Sequence, residues 1–244
     1  MINVPKTDFK TPFGKLLRFP LKLIPNKTIL PILQGPLKGK KWIKGSSING
    51  CWLGTYELDK QVLFSKYVKS GMIIFDVGAN VGYYSLLASL LTGKEGKVFS
   101  FEPLPENISY LKKHIELNNL KNVKVVKKAI SNQVSTMRFN FGDNRSAGHI
   151  SKEGEIEIET TSLDDYISKG NPSPHIIKMD IEGAEYEALI GAKEILKTKK
   201  PVIFLATHSN ELRVKCLKLL TAHGYIISAI DNKPIEESDE FVCK

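Results

Sequence analysis

Residues 72–89, MIIFDVGANVGYYSLLAS, restrict the folds open to this 244-residue chain more than any other stretch. An apolar run ends at Asp76-Val77, Gly78 and Gly82 bracket a short turn around Asn80, and a helix-forming run follows. Glycine reaches positive φ without a Cβ clash and lets another group approach the backbone closely. The start of the helix leaves free amide groups. Strand, glycine turn and helix in this order place a ligand site at the carboxyl end of the first strand of an α/β sheet. The dinucleotide pattern G-x-G-x-x-G would need glycines at 80 and 83, where the chain has Asn80 and Tyr83, and no Gly-Lys-Ser/Thr follows to make a P-loop. Asp76, just before the glycines, repels a pyrophosphate and suits a ligand carrying an amine or another cation.

The rest of the chain alternates between strand and helix patterns. Strands are predicted over 72–77, 97–101, 123–127, 176–180, 202–206 and 225–229. Helices are predicted over 81–91, 105–118, 186–198 and 211–222. Short apolar strands separated by amphipathic helices indicate a doubly wound, mostly parallel sheet of about seven strands, covered on both faces. Two alternating runs, VSTMRFNF and EIEIETT, interrupt the pattern between residues 134 and 161 and predict an inserted antiparallel pair. Before the sheet, short strands are expected over 29–33 and 41–43, with GPLKG as the turn between them, and a helix within 55–69. We therefore divide the chain into a basic N-terminal extension, 1–70, and a sheet domain, 71–244.

Charge is concentrated in the extension. Residues 1–50 hold ten Lys/Arg and one acid, Asp8, which accounts for the whole formal charge of +9. Six of the twelve prolines lie there too and argue against a long helix. Lysines interleaved with Phe9, Phe13, Phe19 and Leu23 suit peripheral contact with an anionic membrane surface. The competing reading packs the apolar residues from Leu16 to Ile24 on the domain and leaves the lysines solvated. No run of about 18 apolar residues is present to span a bilayer, and no leader-type apolar core opens the chain. Three widely separated cysteines, Cys51, Cys216 and Cys243, give neither a disulfide framework nor a zinc site. A cytoplasmic location is expected.

The second predicted strand, KVFSFEP, ends in Glu102, an acid about 20 residues beyond the glycine turn and placed to accept both ribose hydroxyls of a nucleoside. Pro103 follows it. Ala129 and Ile130, after the third strand, are placed to lie against an adenine. S-adenosylmethionine combines an ammonium, a sulfonium and an adenosine with no phosphate, and it is the expected cofactor. Its methionine half is expected at Asp76, Gly78, Asn80, Gly82 and Tyr83.

FDVGANVGYYS, SFEPLPEN, KKAIS and IIKMDIEGAEYEALIGA, with CWLGTYE at 51–57 as a lead-in, together resemble the FkbM family of class I S-adenosylmethionine-dependent methyltransferases. The resemblance covers roughly residues 51–230. It implies a Rossmann-like sheet and O-methylation of a hydroxyl on a sugar, glycan, glycolipid or natural product. It also maps Asp180, Glu182, Gly183 and Glu185 onto the family's D-x-E-G-x-E signature, with Asp180 beside the cofactor. The chain departs from the family at the fifth strand, which there commonly ends Glu-x-His. Here FLATHS puts Ala206 in place of the Glu and keeps His208.

Methyl transfer to a hydroxyl needs in-line alignment and a group to take the hydroxyl proton. Asp180, Glu182 and His208 fall at the carboxyl end of the sheet, and His208 is the favoured base because imidazole needs the smallest pKa change to act near neutral pH. His149, in the inserted segment, is the second choice. Glu182 and Glu185 equally suit the first turn of a helix, and Trp52 and Tyr56 suit either a stacking platform or the core. Asp180 and Asn210 alone are too few hard ligands for magnesium, so no metal is expected. Two other functions compete. An RNA methyltransferase would use the basic arm, but Asp180-Ile181-Glu182-Gly183 lacks a stacking aromatic and sets negative charge against phosphate, so nucleic acid is disfavoured. A non-catalytic binding module rests on Ala206 alone. Oligomeric state is not legible.

Overall fold

The structure is a computed structural model that describes residues 21, 23–140, 149–150, 156–231 and 233–244. The first 20 residues, which carry much of the expected membrane-contacting arm, lie outside the described residues. Among the described residues no helix is long and apolar enough to cross a membrane.

The main sheet has seven strands. In chain order they are β3 (Ile73–Val77), β4 (Lys97–Phe101), β5 (Val123–Val126), β10 (Ile176–Met179), β11 (Val202–Ala206), β12 (Ile227–Ala229) and β13 (Glu240–Cys243). Their spatial order is β12-β13-β11-β10-β3-β4-β5. The pairs β11–β10, β10–β3, β3–β4 and β4–β5 are parallel, while β13 runs antiparallel to β11 and β12. The order reverses between β3 and β10, so the crevice at their carboxyl ends is the topological switch point of the sheet.

Residues on successive strand positions alternate between faces. Phe75, Phe99, Ile177 and Leu205 point to one face, where they pack with Leu163, Leu189, Leu196 and Leu220 from the helices α5 (Leu163–Ser168), α6 (Glu185–Ile190), α7 (Lys193–Thr198) and α8 (Asn210–Ala222). Ile74, Val98 and Phe204 point to the other, under α3 (Tyr83–Thr92). The N-terminal segment completes this second core. Its strands β1 (Ile29–Pro31) and β2 (Lys41–Ile43) form an antiparallel hairpin, and its helices are α1 (Asn49–Leu53) and α2 (Leu58–Tyr67). Ile32, Leu37, Trp42, Trp52 and Phe64 from this segment are buried in one cluster with Ile74, Leu86 and Phe204. Trp52 is thus a core residue, and its indole donates to Asn49 Oδ1 at 3.0 Å.

Several boundaries differ from the sequence expectation. The helix expected at 81–91 begins at Tyr83 because Gly82 has φ +94. The single helix expected at 186–198 is two, α6 and α7. Gly191 lies against Ser131, where an added Cβ would sit 2.3 Å from the carbonyl oxygen. Asp164 then caps the second helix, accepting from Glu194 N at 2.9 Å and Ile195 N at 3.0 Å. The inserted element is a separate four-stranded sheet. Its β7 (Ser135–Asn140) and β9 (Ile156–Thr161) pair antiparallel as expected, flanked by β6 (Ala129–Ile130) and β8 (His149–Ile150). His149 therefore stands in a strand, opposite Asn140, instead of a loop.

His114 on α4 (Pro105–Leu117) joins these parts. Its Nε2 accepts from Ile43 N at 3.1 Å, its Nδ1 faces Val81 O at 2.8 Å, and its ring stacks on Trp42 at 3.8 Å. Burial lowers its pKa from 6.5 to about 4. The unfolded chain then takes up a proton below pH 6.5 that the folded chain refuses until about pH 4, so stability falls as pH drops through that window. The loss at pH 5 is about 2 kcal/mol. Urea unfolding at pH 7 and pH 5 should show this loss in the wild type, and a loss smaller by about that amount in His114→Gln.

Candidate active site

A cavity of about 600 Å³ opens at the carboxyl ends of β3, β4 and β10, within the range of about 300–1,000 Å³ usual for small-molecule sites. Gly78, Asn80 and Tyr83 from the glycine turn line it, as do Glu102 and Pro103 after β4 and Ala129 and Ile130 on β6. Asp180 and Glu182 close it beyond β10, and Tyr56 and Cys51 reach it from the N-terminal segment.

The turn is built by close approach. Gly78 has φ +77, and an added Cβ would lie 1.9 Å from Asp180 O, so only glycine lets the turn abut β10. Gly78 N and Ala79 N both donate to Phe101 O, at 3.1 and 3.0 Å. Glu102 is buried and holds the turn from the next strand. Its Oε2 accepts from Asn80 N at 2.8 Å, and its Oε1 accepts from Leu104 N at 3.0 Å and Asn107 Nδ2 at 3.2 Å. Burial raises its pKa, against these donors.

Two residues expected at the ligand have a visible part in shaping the turn. Gly82 is absent from the cavity lining among the described residues, and an added Cβ there would lie 2.3 Å from Leu111 Cδ1. Asp76 is also absent from that lining. Its side chain is buried beneath α3, where Oδ2 accepts from Ser85 Oγ at 2.6 Å. On the sheet Asp76 stands beside Ser100 and Lys178, its register partners on β4 and β10, and its other oxygen, Oδ1, faces Lys178 Nζ.

Lys178 belongs to this site although no motif in the sequence marks it. It is buried, yet its Nζ lines the space between Asp76 Oδ1 and Asp180 Oδ2, 3.6 Å from each, and donates to Gly78 O at 3.0 Å. A lone lysine in the apolar run HIIKM was the available signal. Its meaning depended on knowing that β10 lies next to β3. Burial acts to lower the Lys178 pKa, but Asp180 and Asp76 more than offset it and keep the ammonium charged. Burial acts to raise Asp180, but Lys178, His208 and Lys60 hold its carboxyl well below the usual range.

The D-I-E-G-A-E segment turns back on itself. Glu182 has φ +53 and Gly183 φ +112. Glu185, fully buried at the start of α6, accepts from Ile181 N at 3.2 Å and Gly183 N at 3.1 Å and so fixes the turn. Glu185 Oε1 also lies 2.9 Å from His208 Nδ1. The opposite ring nitrogen, Nε2, is 3.4 Å from Asp180 Oδ1 and 3.3 Å from Glu182 Oε2. The structure thus brings together Asp180, Glu182 and His208, the three expected base candidates. The Asp180 and Glu185 carboxylates push His208 up to about 10. In this state the ring holds its proton at neutral pH, which works against the simple base role favoured from the sequence. Burial raises Glu182, helped by Asp180 and Glu185.

A switch-point cavity with a glycine turn, an acid after the second strand and a carboxylate-rich far end defines a class I methyltransferase site on a Rossmann-like sheet. The family model for the methyltransferase FkbM domain matches residues 76–227, and the chain belongs to that family, whose cofactor is S-adenosylmethionine. Two curated relatives are similar to it. Hexuronic acid methyltransferase AglP of Haloferax volcanii is 28% identical over 134 residues, covering 54% of each chain. 2-O-methyltransferase NoeI of Sinorhizobium fredii is 28% identical over 165 residues, covering 59% of this chain and 66% of its own. The chain thus spans about half to two thirds of these relatives' length. The crystal structure of methyltransferase FkbM from Methylobacillus flagellatus superposes with a TM-score of 0.53 at 17% identity, over 81% of this chain and 55% of that one.

Lys178→Met leaves the Asp76 and Asp180 carboxylates without their buried counter-ion. It should cost about 3–5 kcal/mol in urea unfolding, and Asp76→Asn added to it should recover part of that loss.

Proposed function

We propose that this protein methylates a hydroxyl of a saccharide or glycolipid, with S-adenosylmethionine as methyl donor. The observation that carries the proposal is the meeting of Asp180, Glu182 and His208 at the end of the cavity beyond the glycine turn. A hydroxyl presented there meets carboxylate oxygens that orient it and accept its proton. Relatives named for methylation of a hexuronic acid and for 2-O-methylation support the acceptor class.

The residues lining the cavity fit the cofactor. No phosphate needs a cation there, and Lys178, the one lysine lining the cavity among the described residues, is already shared by two carboxylates. Gly78, Asn80 and Tyr83 would hold the methionine half, Glu102 and Pro103 the ribose, and Ala129 and Ile130 the adenine. When bound, S-adenosylmethionine supplies an electrophilic methyl on sulfur. Glu182, whose raised pKa makes it the better proton acceptor of the two carboxylates, takes the hydroxyl proton. The His208 imidazolium offsets charge beside it, and buried Glu185 keeps the ring in place. Asp76 and Gly82 act through the shape of the turn. We assign catalysis to the sheet domain, 71–244, with the extension contributing Cys51 and Tyr56 to the cavity wall.

Calorimetric titration with S-adenosylmethionine, and transfer of labelled methyl to fractionated glycans and glycolipids, test the proposal. Glu102→Ala removes an acceptor of both ribose hydroxyls, worth about 2–4 kcal/mol, so its dissociation constant should rise about 30- to 1,000-fold. Glu182→Gln should bind the cofactor as the wild type does and lose about 100-fold or more in methyl transfer. Unchanged affinity in Glu102→Ala would mean that the ribose lies elsewhere, and label appearing in RNA alone would overturn the acceptor class.

A further inference from the structure

The sequence offered only Asp180 and Asn210 as hard ligands. In the structure Asn210 is engaged elsewhere, its Oδ1 accepting from Arg213 Nη2 at 2.6 Å. A different set is assembled: ligand atoms of Asp180, Glu182 and His208 all lie within 4.8 Å of one another. We propose that Asp180 Oδ1, Glu182 Oε2 and His208 Nε2 form a binding site for a divalent cation of the manganese and magnesium class, at the acceptor end of the cavity.

Three features of the geometry carry this. First, the atoms stand at coordination spacing. His208 Nε2 is 3.4 Å from Asp180 Oδ1 and 3.3 Å from Glu182 Oε2, longer than a good hydrogen bond. A cation with bonds of about 2.1–2.4 Å to neighbouring donors sets those donors about 3.0–3.4 Å apart. Second, the ring is oriented from behind. Nδ1 lies 2.9 Å from Glu185 Oε1, and Glu185 is itself fully buried and held by two backbone amides. A carboxylate on the far nitrogen of a ligating imidazole fixes the tautomer and aims the free nitrogen at the metal. Third, the oxygens are divided. Asp180 Oδ2 faces Lys178 at 3.6 Å, which leaves Oδ1 for the cation. Three protein donors leave positions open toward the cavity, which Asp180 and Glu182 line. A cation here replaces the proton on Nε2 as the positive charge among the carboxylates. The carboxylate oxygens suit manganese and magnesium, and the one imidazole is a donor that manganese accepts more readily than calcium does. On the methyl-transfer reading above, on which its use though not its binding depends, the cation would present the acceptor hydroxyl and make its proton easier to remove.

The test is titration of Mn²⁺ into the full chain, followed by the loss of the free-ion electron paramagnetic resonance signal, with S-adenosylmethionine affinity measured by calorimetry on the same sample. One Mn²⁺ should bind per chain, and excess Mg²⁺ should displace it. Glu182→Gln, at an exposed side chain, and His208→Ala should each weaken binding at least tenfold. Glu185→Gln should weaken it about 10- to 100-fold. Thermal melts confirm that each variant is folded. Absence of Mn²⁺ binding, or binding that survives both Glu182→Gln and His208→Ala, overturns the site. Cofactor binding without Mn²⁺ binding would defeat this inference alone, and Mn²⁺ binding without cofactor binding would defeat the methyl-transfer reading alone.

Discussion

Lys178 ties the centre of the molecule together. It sits in the middle strand of the sheet, buried, with a carboxylate on either side and a turn carbonyl above it. A buried ammonium is tolerated only when its charge is answered and its protons are donated. Asp76, Asp180 and Gly78 O meet that need together, and in doing so they fix three things at once. The end of β3 is held against the end of β10, the glycine turn is pulled onto the sheet, and the Asp180 side chain is turned so that one oxygen faces inward and one faces His208. The close approach at Gly78 is the steric counterpart of the same contact, since a Cβ there would strike the Asp180 carbonyl.

Much of this was legible in the sequence, and the reasons differ from element to element. β4 and β11 were placed to the residue because each is a short apolar run ended by a change of character, at Glu102 and Thr207. The glycine turn, Glu102, and the gathering of Asp180, Glu182 and His208 followed from one rule, that such residues stand at carboxyl ends of parallel strands. The charge and prolines of residues 1–50 read as an extension, and nothing in them shows that the described part of this segment shares a core with α3. Nothing local in PILQGPLKGKKWI says which surface Trp42 stacks on; that surface is His114, 72 positions later.

What the sequence concealed depended on strand order. Asp76 reads as a ligand contact because it precedes the glycines; that it also meets Ser85 and Lys178 depends on strand order, which the sequence does not show. β13 was missed because EFVC is four residues long and follows a polar, proline-containing stretch. Its stability comes from insertion between β11 and β12, not from its own composition. The break between α6 and α7 was invisible for a similar reason. Gly191 is required by Ser131, and Asp164 supplies the cap, and neither is near in sequence.

The same logic of buried charge links the N-terminal segment to the sheet. Lys60 on α2 is buried with Nζ 3.3 Å from Glu57 and 2.5 Å from Glu240 on β13. Glu240 stands directly across the antiparallel ladder from Ala206, so its carboxylate occupies the face and level of the strand end that Ala206 leaves without one. The Tyr84 ring lies between the two lysines, 5.6 Å from Lys60 Nζ and 5.5 Å from Lys178 Nζ, and its hydroxyl donates to Glu57 at 2.9 Å. Two buried lysines, each straddled by two carboxylates, therefore share one aromatic ring. Removing the segment would leave Glu240 without its cation and Tyr84 without its acceptor. The electrostatics of the cavity floor thus depend on residues well outside the 76–227 span that the family model matches.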